Sequence, residues 1–189
     1  MRLAWTALFL ASALFSFEGG AAAAATAPQP KSDLDRWFAD LAKADSPEDA
    51  KPIETKIETA FKQSGSASVD LLMSRAKEAL NAADSKTAGT ILAAVTKLAP
   101  DYAEGWHMRA TMDAAAGNDS AAMIGLQKVV SLNPRNFAVM VELASMLEDY
   151  GDKKAALGLY RKAVALDPQL EEAVRAVRAL EKEVEGQGI

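Results

Sequence analysis

Apolar residues recur at helical spacing along most of this chain. Leu126, Val129 and Leu132 stand three residues apart, so that one side of a helix through them stays apolar. Residues 169–185 show a similar pattern, with an apolar stripe opposite a charged one: Leu170, Val174, Val177, Leu180 and Val184 against Glu171, Glu172, Arg175, Arg178, Lys182 and Glu185. The pattern predicts a series of amphipathic helices.

The helical pattern repeats with a period of 34 residues. Rows that begin at Val69, Ala103 and Phe137 come into register without a gap. The rows share alanine at positions 8 and 20, leucine at position 30 and proline at position 32: Ala76, Ala110 and Ala144; Ala88, Ala122 and Ala156; Leu98, Leu132 and Leu166; Pro100, Pro134 and Pro168. The alanines allow two helices to approach closely, and the proline cannot continue the second helix. Each row therefore predicts one helical hairpin.

The middle of each row carries the residues of a helix end followed by a helix start. Gly117 and Gly151 occupy position 15 of the last two rows, where glycine can adopt the left-handed conformation that ends a helix. Position 16 holds Asp84, Asn118 or Asp152, and these side chains can cap the N-terminus of the second helix. The turn inside each hairpin is therefore predicted as well.

These rows resemble the tetratricopeptide repeat (TPR), and the resemblance covers residues 69–170. It is carried by the shared alanines, glycines, leucines and prolines, and the middle row matches the repeat signature best. The resemblance implies an all-α fold, a right-handed α-solenoid of TPR hairpins, with repeats at 69–102, 103–136 and 137–170.

Helical patterns also flank the three rows. Upstream, helices at 34–44 and 52–63 predict a degenerate N-terminal helical hairpin at 34–68, which we interpret as a first, irregular repeat of the stack. Downstream, residues 171–189 are predicted to be a capping helix and tail, because a helix with one charged side closes the open end of a repeat array.

The composition excludes several classes of function. The chain has 189 residues, a net charge of -5 and no cysteine. Without cysteine it forms no disulfide, thiolate metal site or cysteine nucleophile. An acidic chain without a basic cluster is a poor nucleic-acid binder, because affinity there depends on Lys and Arg contacts with phosphates. The sequence indicates no metal and no cofactor.

The N-terminus has the order of a secretory signal peptide. Met1 and Arg2 supply a positive start, residues 3–17 are apolar, and alanines 21–25 offer a cleavage region. The apolar run is shorter than the roughly 20 residues that span a bilayer, which favours cleavage over an uncleaved membrane anchor. We expect residues 1–25 to be a signal peptide, residues 26–33 an extended mature N-terminus, and no integral membrane segment after cleavage.

The TPR resemblance also implies where a partner binds. In that family the first helix of each repeat contributes positions 2, 5, 9, 12 and 13 to a concave groove. Of the fifteen residues at these positions, nine are expected to bind the partner: Met73, Lys77, Leu80, His107, Thr111, Ala114, Val141, Ser145 and Glu148. The alternative is that these residues form an ordinary solvent-exposed helix surface that binds no partner. His107 is the sole histidine, and the sequence shows no companion for it, so no catalytic residue is predicted and the chain is not expected to be an enzyme.

Position 7 departs from the TPR pattern, since arginine replaces a buried leucine there. Arg75 and Arg109 stand at this position, while the third row keeps Leu143. Asp113 lies four residues after Arg109 on the same side of the helix, so a buried polar pair of Arg109 and Asp113 is predicted. The alternative is an anion site that opens on the stack.

Three further segments, residues 64–73, 98–106 and 183–187, are similar to small exported TPR proteins of alphaproteobacteria. This resemblance implies a periplasmic location and a role in cell-envelope integrity. The chain is then a non-catalytic adaptor or scaffold that binds a protein or peptide in its groove. Two alternatives remain open: a self-assembling structural protein that uses its C-terminal helix, and a small-molecule carrier or enzyme.

Overall fold

The computed structural model of the protein describes residues 30–184 and residue 186. The predicted signal peptide, residues 1–25, lies outside this range. The described part contains nine helices and no strand, which confirms the all-α prediction. The helices are α1 (Pro30–Leu41), α2 (Pro47–Phe61), α3 (Ala67–Asn81), α4 (Ser85–Leu98), α5 (Ala103–Ala115), α6 (Asp119–Leu132), α7 (Phe137–Asp149), α8 (Lys153–Leu166) and α9 (Glu171–Val184). None of these helices is long and apolar enough to cross a membrane.

From α3 onward, each helix packs against the next one in the chain. The pairs α3–α4, α5–α6 and α7–α8 are hairpins, and α4–α5, α6–α7 and α8–α9 join them into one stack. The alanines at positions 8 and 20 are buried in the hairpins, and all six are at most 1% exposed. Gly125 shows how close the helices are, because a Cβ built on it would lie 2.8 Å from Cβ of Ala110. Small side chains therefore set the spacing of this solenoid.

The turns inside the hairpins follow the predicted chemistry with one exception. Gly117 and Gly151 have φ angles of +76° and +86°, and in the first hairpin Ala83 takes the same role with φ +57°. Asp84 and Asp152 cap the following helices by accepting from the backbone N–H groups of Thr87 and Ala155. Asn118 makes no such side-chain bond. Only the carboxylate caps therefore form as predicted.

The N-terminal hairpin, α1–α2, differs from the sequence prediction at its ends. α1 already begins at Pro30, so residues 30–33 are helical and not extended; proline fits the first turn of a helix, where its missing N–H costs nothing. α2 begins at Pro47, five residues before Pro52, because Ser46 accepts a hydrogen bond from the N–H of Asp49 and caps the helix.

The N-terminal hairpin is also not stacked on α3 as a first repeat, which corrects the interpretation from sequence. α1 and α2 pack against each other, whereas α2 and α3 pack less extensively than the successive helices of the stack do. Phe38 and Leu41 of α1 and Ile57 of α2 instead share a core with Phe137 and Met140 of α7. The rings of Phe38 and Phe137 meet edge to face with centroids 6.2 Å apart. Burial of these aromatic side chains outweighs the continuation of the stack.

Polar contacts hold the N-terminal hairpin along the turns between successive rows. Tyr102, before α5, donates to the carbonyl of Lys62 at 2.6 Å. Arg135, before α7, lies 3.8 Å above the Phe38 ring and pairs with Asp35. Gln169, before α9, donates to the carbonyl of Ala44 at 2.7 Å. The hairpin thus contacts all three turns.

Candidate functional site

The surface formed by α3, α5 and α7 is the candidate partner-binding site. We call it the first-helix face, because each of these helices is the first of its row. Of the predicted partner-binding residues, Lys77 and Thr111 are exposed and Met73 is buried. The others are half-buried on this face: Leu80, His107, Ala114, Val141, Ser145 and Glu148.

Met73 belongs to the core and not to the binding surface, which corrects its assignment from sequence. It is 4% exposed and packs with Val69, Ala76, Leu92 and Val95. Its long apolar side chain fills the space inside the α3–α4 hairpin, so little of it reaches solvent.

An apolar cavity of about 350 Å³ opens between α3 and α5. We call it the α3–α5 cavity. Its apolar lining consists of Leu80, Met108, Met112, Ala115 and Ala116, and its polar lining consists of Glu104, His107, Thr111 and Ser85. Methionine side chains adapt their shape to what they contact, which suits a cavity that receives varied apolar groups. The sequence prediction missed Met108 and Met112 because positions 6 and 10 were not among the expected groove positions.

His107 joins two carboxylates at the edge of the α3–α5 cavity. Its Nδ1 lies 3.2 Å from Oε2 of Glu104, one turn earlier in α5, and its Nε2 lies 2.9 Å from Oε2 of Glu142 in α7. Burial lowers the pKa of His107, but the hydrogen bonds to Glu104 and Glu142 and their charges outweigh burial and raise it to about 9. The imidazole is therefore protonated at neutral pH, when both nitrogens donate to a carboxylate.

This arrangement bears on the chemistry that the site can perform. Because both ring nitrogens of His107 are engaged with carboxylates, the ring is not poised as a general base. The described residues contain no group of three or more His, Cys, Asp and Glu side chains that could hold a metal ion. What the face does offer is an apolar cavity beside a local excess of negative charge, with two carboxylates around one imidazolium.

Arg109 and Asp113 do not form the predicted pair. Both are half-buried, but no ion pair within 4.0 Å joins them. The guanidinium of Arg109 lies 5.7 Å from the centre of the Trp106 ring, and its Nη1 donates to Oγ1 of Thr96 in α4 at 3.3 Å. A ring of its own helix and a hydroxyl of the preceding hairpin thus contact the arginine in place of the carboxylate one turn away.

The N-terminal hairpin covers the α7 end of the first-helix face. A second cavity, of about 410 Å³, lies between Lys51 and Glu54 of α2 and Ala138 and Val141 of α7. Val141 is half-buried and packs against the core that the hairpin shares with α7. The part of the face that stays open to a partner is therefore the part around α3 and α5.

A buried carboxylate pair lies where α2 meets the turn between α8 and α9. Asp167 is 0% exposed and Glu54 is 8% exposed. Oδ1 of Asp167 accepts from the N–H of Gln169 at 3.0 Å, but Oδ2 has no hydrogen-bond partner among the described residues. Burial raises the pKa of Asp167 to about 6, the hydrogen bond from Gln169 opposes this rise, and the charge of Glu54 adds to it. Ionised Asp167 therefore weakens the contact of the hairpin with the stack.

Comparisons with known proteins point to one family. No family model matches the chain. A TPR repeat-containing protein of Rhizobium etli is 30% identical over 157 residues, which cover 83% of this chain and 77% of that protein. Among solved structures, the MamA protein is similar over 84% of each chain, with a TM-score of 0.54 and 18% identity. The TPR2B domain of yeast Sti1, solved in a complex with pHsp70, is similar over 65% of this chain and 99% of its own, with a TM-score of 0.52 and 19% identity.

Proposed function

Since the chain belongs to the tetratricopeptide-repeat proteins, we propose that it is a non-catalytic adaptor that binds a segment of another protein on its first-helix face. The single observation that carries this proposal is the open apolar cavity between α3 and α5. A solenoid repeat leaves its first-helix surface available for partners, and a cavity of this size there accepts one or two apolar side chains.

The geometry of the face favours an extended or helical segment with an apolar anchor. The anchor enters between Leu80, Met108 and Met112. The remainder of the segment lies along Lys77, Thr111 and Ala114, which belong to the open part of the face on α3 and α5. The yeast Sti1 domain, whose solved structure is a complex with pHsp70, supports the use of this fold for binding another protein.

We further propose that the protein works in the periplasm and supports the integrity of the cell envelope. The N-terminal sequence supports this, because it has the order of a secretory signal peptide: a positive charge at Arg2, an apolar run at 3–17 and alanines at 21–25. Intact-mass measurement of the protein released by osmotic shock tests it. A species that begins near residues 24–27 is the expected result, and a full-length species that pellets with membranes contradicts it.

Crosslinking from the cavity tests the adaptor function. A photoreactive amino acid replaces Ala115, which is exposed and lines the α3–α5 cavity. The control carries the same amino acid at Ala179, which is exposed on α9. In living cells, we expect a discrete protein adduct from position 115 and none of the same mass from position 179.

A filled cavity provides the second arm of that experiment. Ala115→Trp places an indole in the cavity and should abolish the adduct formed from a probe at Thr111, while Ala179→Trp should leave it unchanged. The melting temperatures of both variants are first compared with that of the wild type, to check that each variant is folded. If the adduct persists with the cavity filled, the first-helix face is not where the partner binds.

A further inference from the structure

The rows of the solenoid share four positions that face the preceding row. In the second row, a Cβ on Gly105 would lie 2.8 Å from Val95, and Arg109 donates to Thr96; both partners belong to α4. In the third row, Val139 and Leu143 are at most 3% exposed and pack with Leu126 and Val129 of α6. Positions 10 and 14 also face the preceding row. In the second row they are Met112 and Ala116, which line the cavity against α3. In the third row they are Met146, which packs on the α6 core, and Tyr150, which donates to Asp119 of α6.

In the first row all four positions are exposed, and the contrast with the other rows lies at positions 3, 7 and 10, because Ala116 and Tyr150 at position 14 are exposed too. The four residues of the first row are Leu71, Arg75, Glu78 and Ala82. Leu71 is 55% exposed, although its counterparts Gly105 and Val139 are buried. The cause is the N-terminal hairpin, which packs along the turns between the rows and leaves the outer side of α3 free. We call these four residues the α3 stripe.

The α3 stripe is complementary to a second copy of itself. Its spacings are four, three and four residues, so it has the same order of spacings in both directions. When two copies of α3 run antiparallel about a two-fold axis, Arg75 of each copy therefore faces Glu78 of the other. In the same way, Leu71 of each copy faces Ala82 of the other. A two-fold contact requires such self-complementarity.

We propose that the protein forms a two-fold dimer through the α3 stripe. Arg75 has no hydrogen-bond or ion-pair partner among the described residues, and Glu78 has only a 3.4 Å hydrogen bond from Ser74. The dimer supplies each of them with an opposite charge and covers Leu71. The proposal goes beyond the adaptor function and does not depend on it, because the stripe and the first-helix face accept different occupants.

The other end of the solenoid does not offer such a surface. The solvent side of α9 carries mainly charged residues of both signs, among them Glu171, Arg175 and Arg178, which are exposed. A head-to-tail contact between α9 and the stripe would leave Leu71 against charged side chains. The charge pattern therefore favours a contact between the α3 ends of two copies over a contact between an α3 end and an α9 end.

Charge reversal tests the dimer by sedimentation equilibrium of the purified protein over a wide range of concentrations. The wild type should approach twice the monomer mass as concentration rises. Arg75→Glu and Glu78→Arg each replace two attractive contacts by two repulsive ones, and should raise the dissociation constant about tenfold or more. The double variant restores opposite charges and should return the constant to near the wild-type value.

Arg178→Glu is the matched control, since it reverses an exposed arginine outside the stripe. It should leave the dissociation constant unchanged. A wild type that stays monomeric at every concentration overturns the proposal and leaves the stripe to a different protein. A dimer that is insensitive to both single reversals, or that the double variant does not restore, overturns it as well.

Discussion

His107 and Glu142 connect two rows of the solenoid through one hydrogen bond of 2.9 Å between Nε2 and a carboxylate oxygen. The bond joins α5 to α7, and the other ring nitrogen of His107, Nδ1, contacts the carboxylate of Glu104. The two carboxylates hold the sole histidine in its charged form, so it serves as a fixed cation inside the first-helix face.

The first prediction is that stability falls as the pH rises from about 6.5 to about 9. The pKa of His107 is raised from 6.5 to about 9 on folding, so its contribution is complete below the unfolded value and is lost as pH passes the folded one. We expect a loss of roughly 2 kcal/mol, less than the full shift implies, because 28% of the side chain is open to water. Urea unfolding at three pH values measures it.

His107→Gln is the control for that titration. Glutamine can still donate to one carboxylate but does not change its charge, so the variant should show a flat stability profile over the same pH range. A wild-type slope that survives in the variant would mean that another group titrates.

The second prediction concerns the buried pair of Asp167 and Glu54. The pKa of Asp167 is raised from 3.8 to about 6, so ionisation of this carboxyl destabilises the folded protein. The destabilisation is absent below about pH 4, where the carboxyl is protonated in both states, and is complete above about pH 6. Asp167→Asn keeps an acceptor for the N–H of Gln169 and removes the charge. It should stabilise the fold by about 2 kcal/mol at pH 7 and by much less at pH 4.

Asp101→Asn, at an exposed position in a turn, is the comparison for Asp167→Asn. It should change the free energy of unfolding by less than about 0.5 kcal/mol at either pH. Equal effects of the two variants would show that burial of Asp167 is not the cause.

The third prediction uses the left-handed residue in the first hairpin. Ala83 has φ +57°, a conformation that costs an L-residue with a Cβ about 1 kcal/mol. Ala83→Gly should therefore raise the free energy of unfolding by about that amount, and Gly117→Ala should lower it similarly. Thermal melts of both variants settle the sign, and a destabilising Ala83→Gly contradicts the prediction.

The fourth prediction compares two glycines within helices. A Cβ on Gly158 of α8 meets nothing within 4 Å, whereas a Cβ on Gly125 of α6 meets Ala110 at 2.8 Å. Gly158→Ala should stabilise by about 0.5–1 kcal/mol through helix propensity. Gly125→Ala should destabilise by about 1 kcal/mol or more, because overpacking exceeds that gain. Similar shifts for both would refute the close approach of α5 and α6.

Much of the solenoid could be predicted from local chemistry. Proline at position 32 and glycine at position 15 act within a few residues of themselves, and helices α4, α6 and α8 each end two residues before such a proline. The close-packed alanines also follow from the period of 34, since each has its counterpart in the next row. These features depend little on distant parts of the chain.

The contacts of the N-terminal hairpin could not be predicted in this way. They join Phe38 to Phe137 and Ala44 to Gln169, and no local pattern encodes a pairing across about a hundred residues. The same holds for His107 and Glu142, whose spacing of one row plus one residue has no meaning until the rows are stacked. Met73 was misplaced because position 5 fills the hairpin interior here.

The path of the N-terminal hairpin changes how this array should unfold. In a plain repeat array each unit touches only its neighbours, so terminal units can fray and the rest survives. Here the first two helices contact the turns before α5, α7 and α9, which closes a long loop of chain between the two ends. Loss of either end removes contacts of the other, so the molecule should melt as one cooperative unit, and it should fold more slowly than its helical content alone implies.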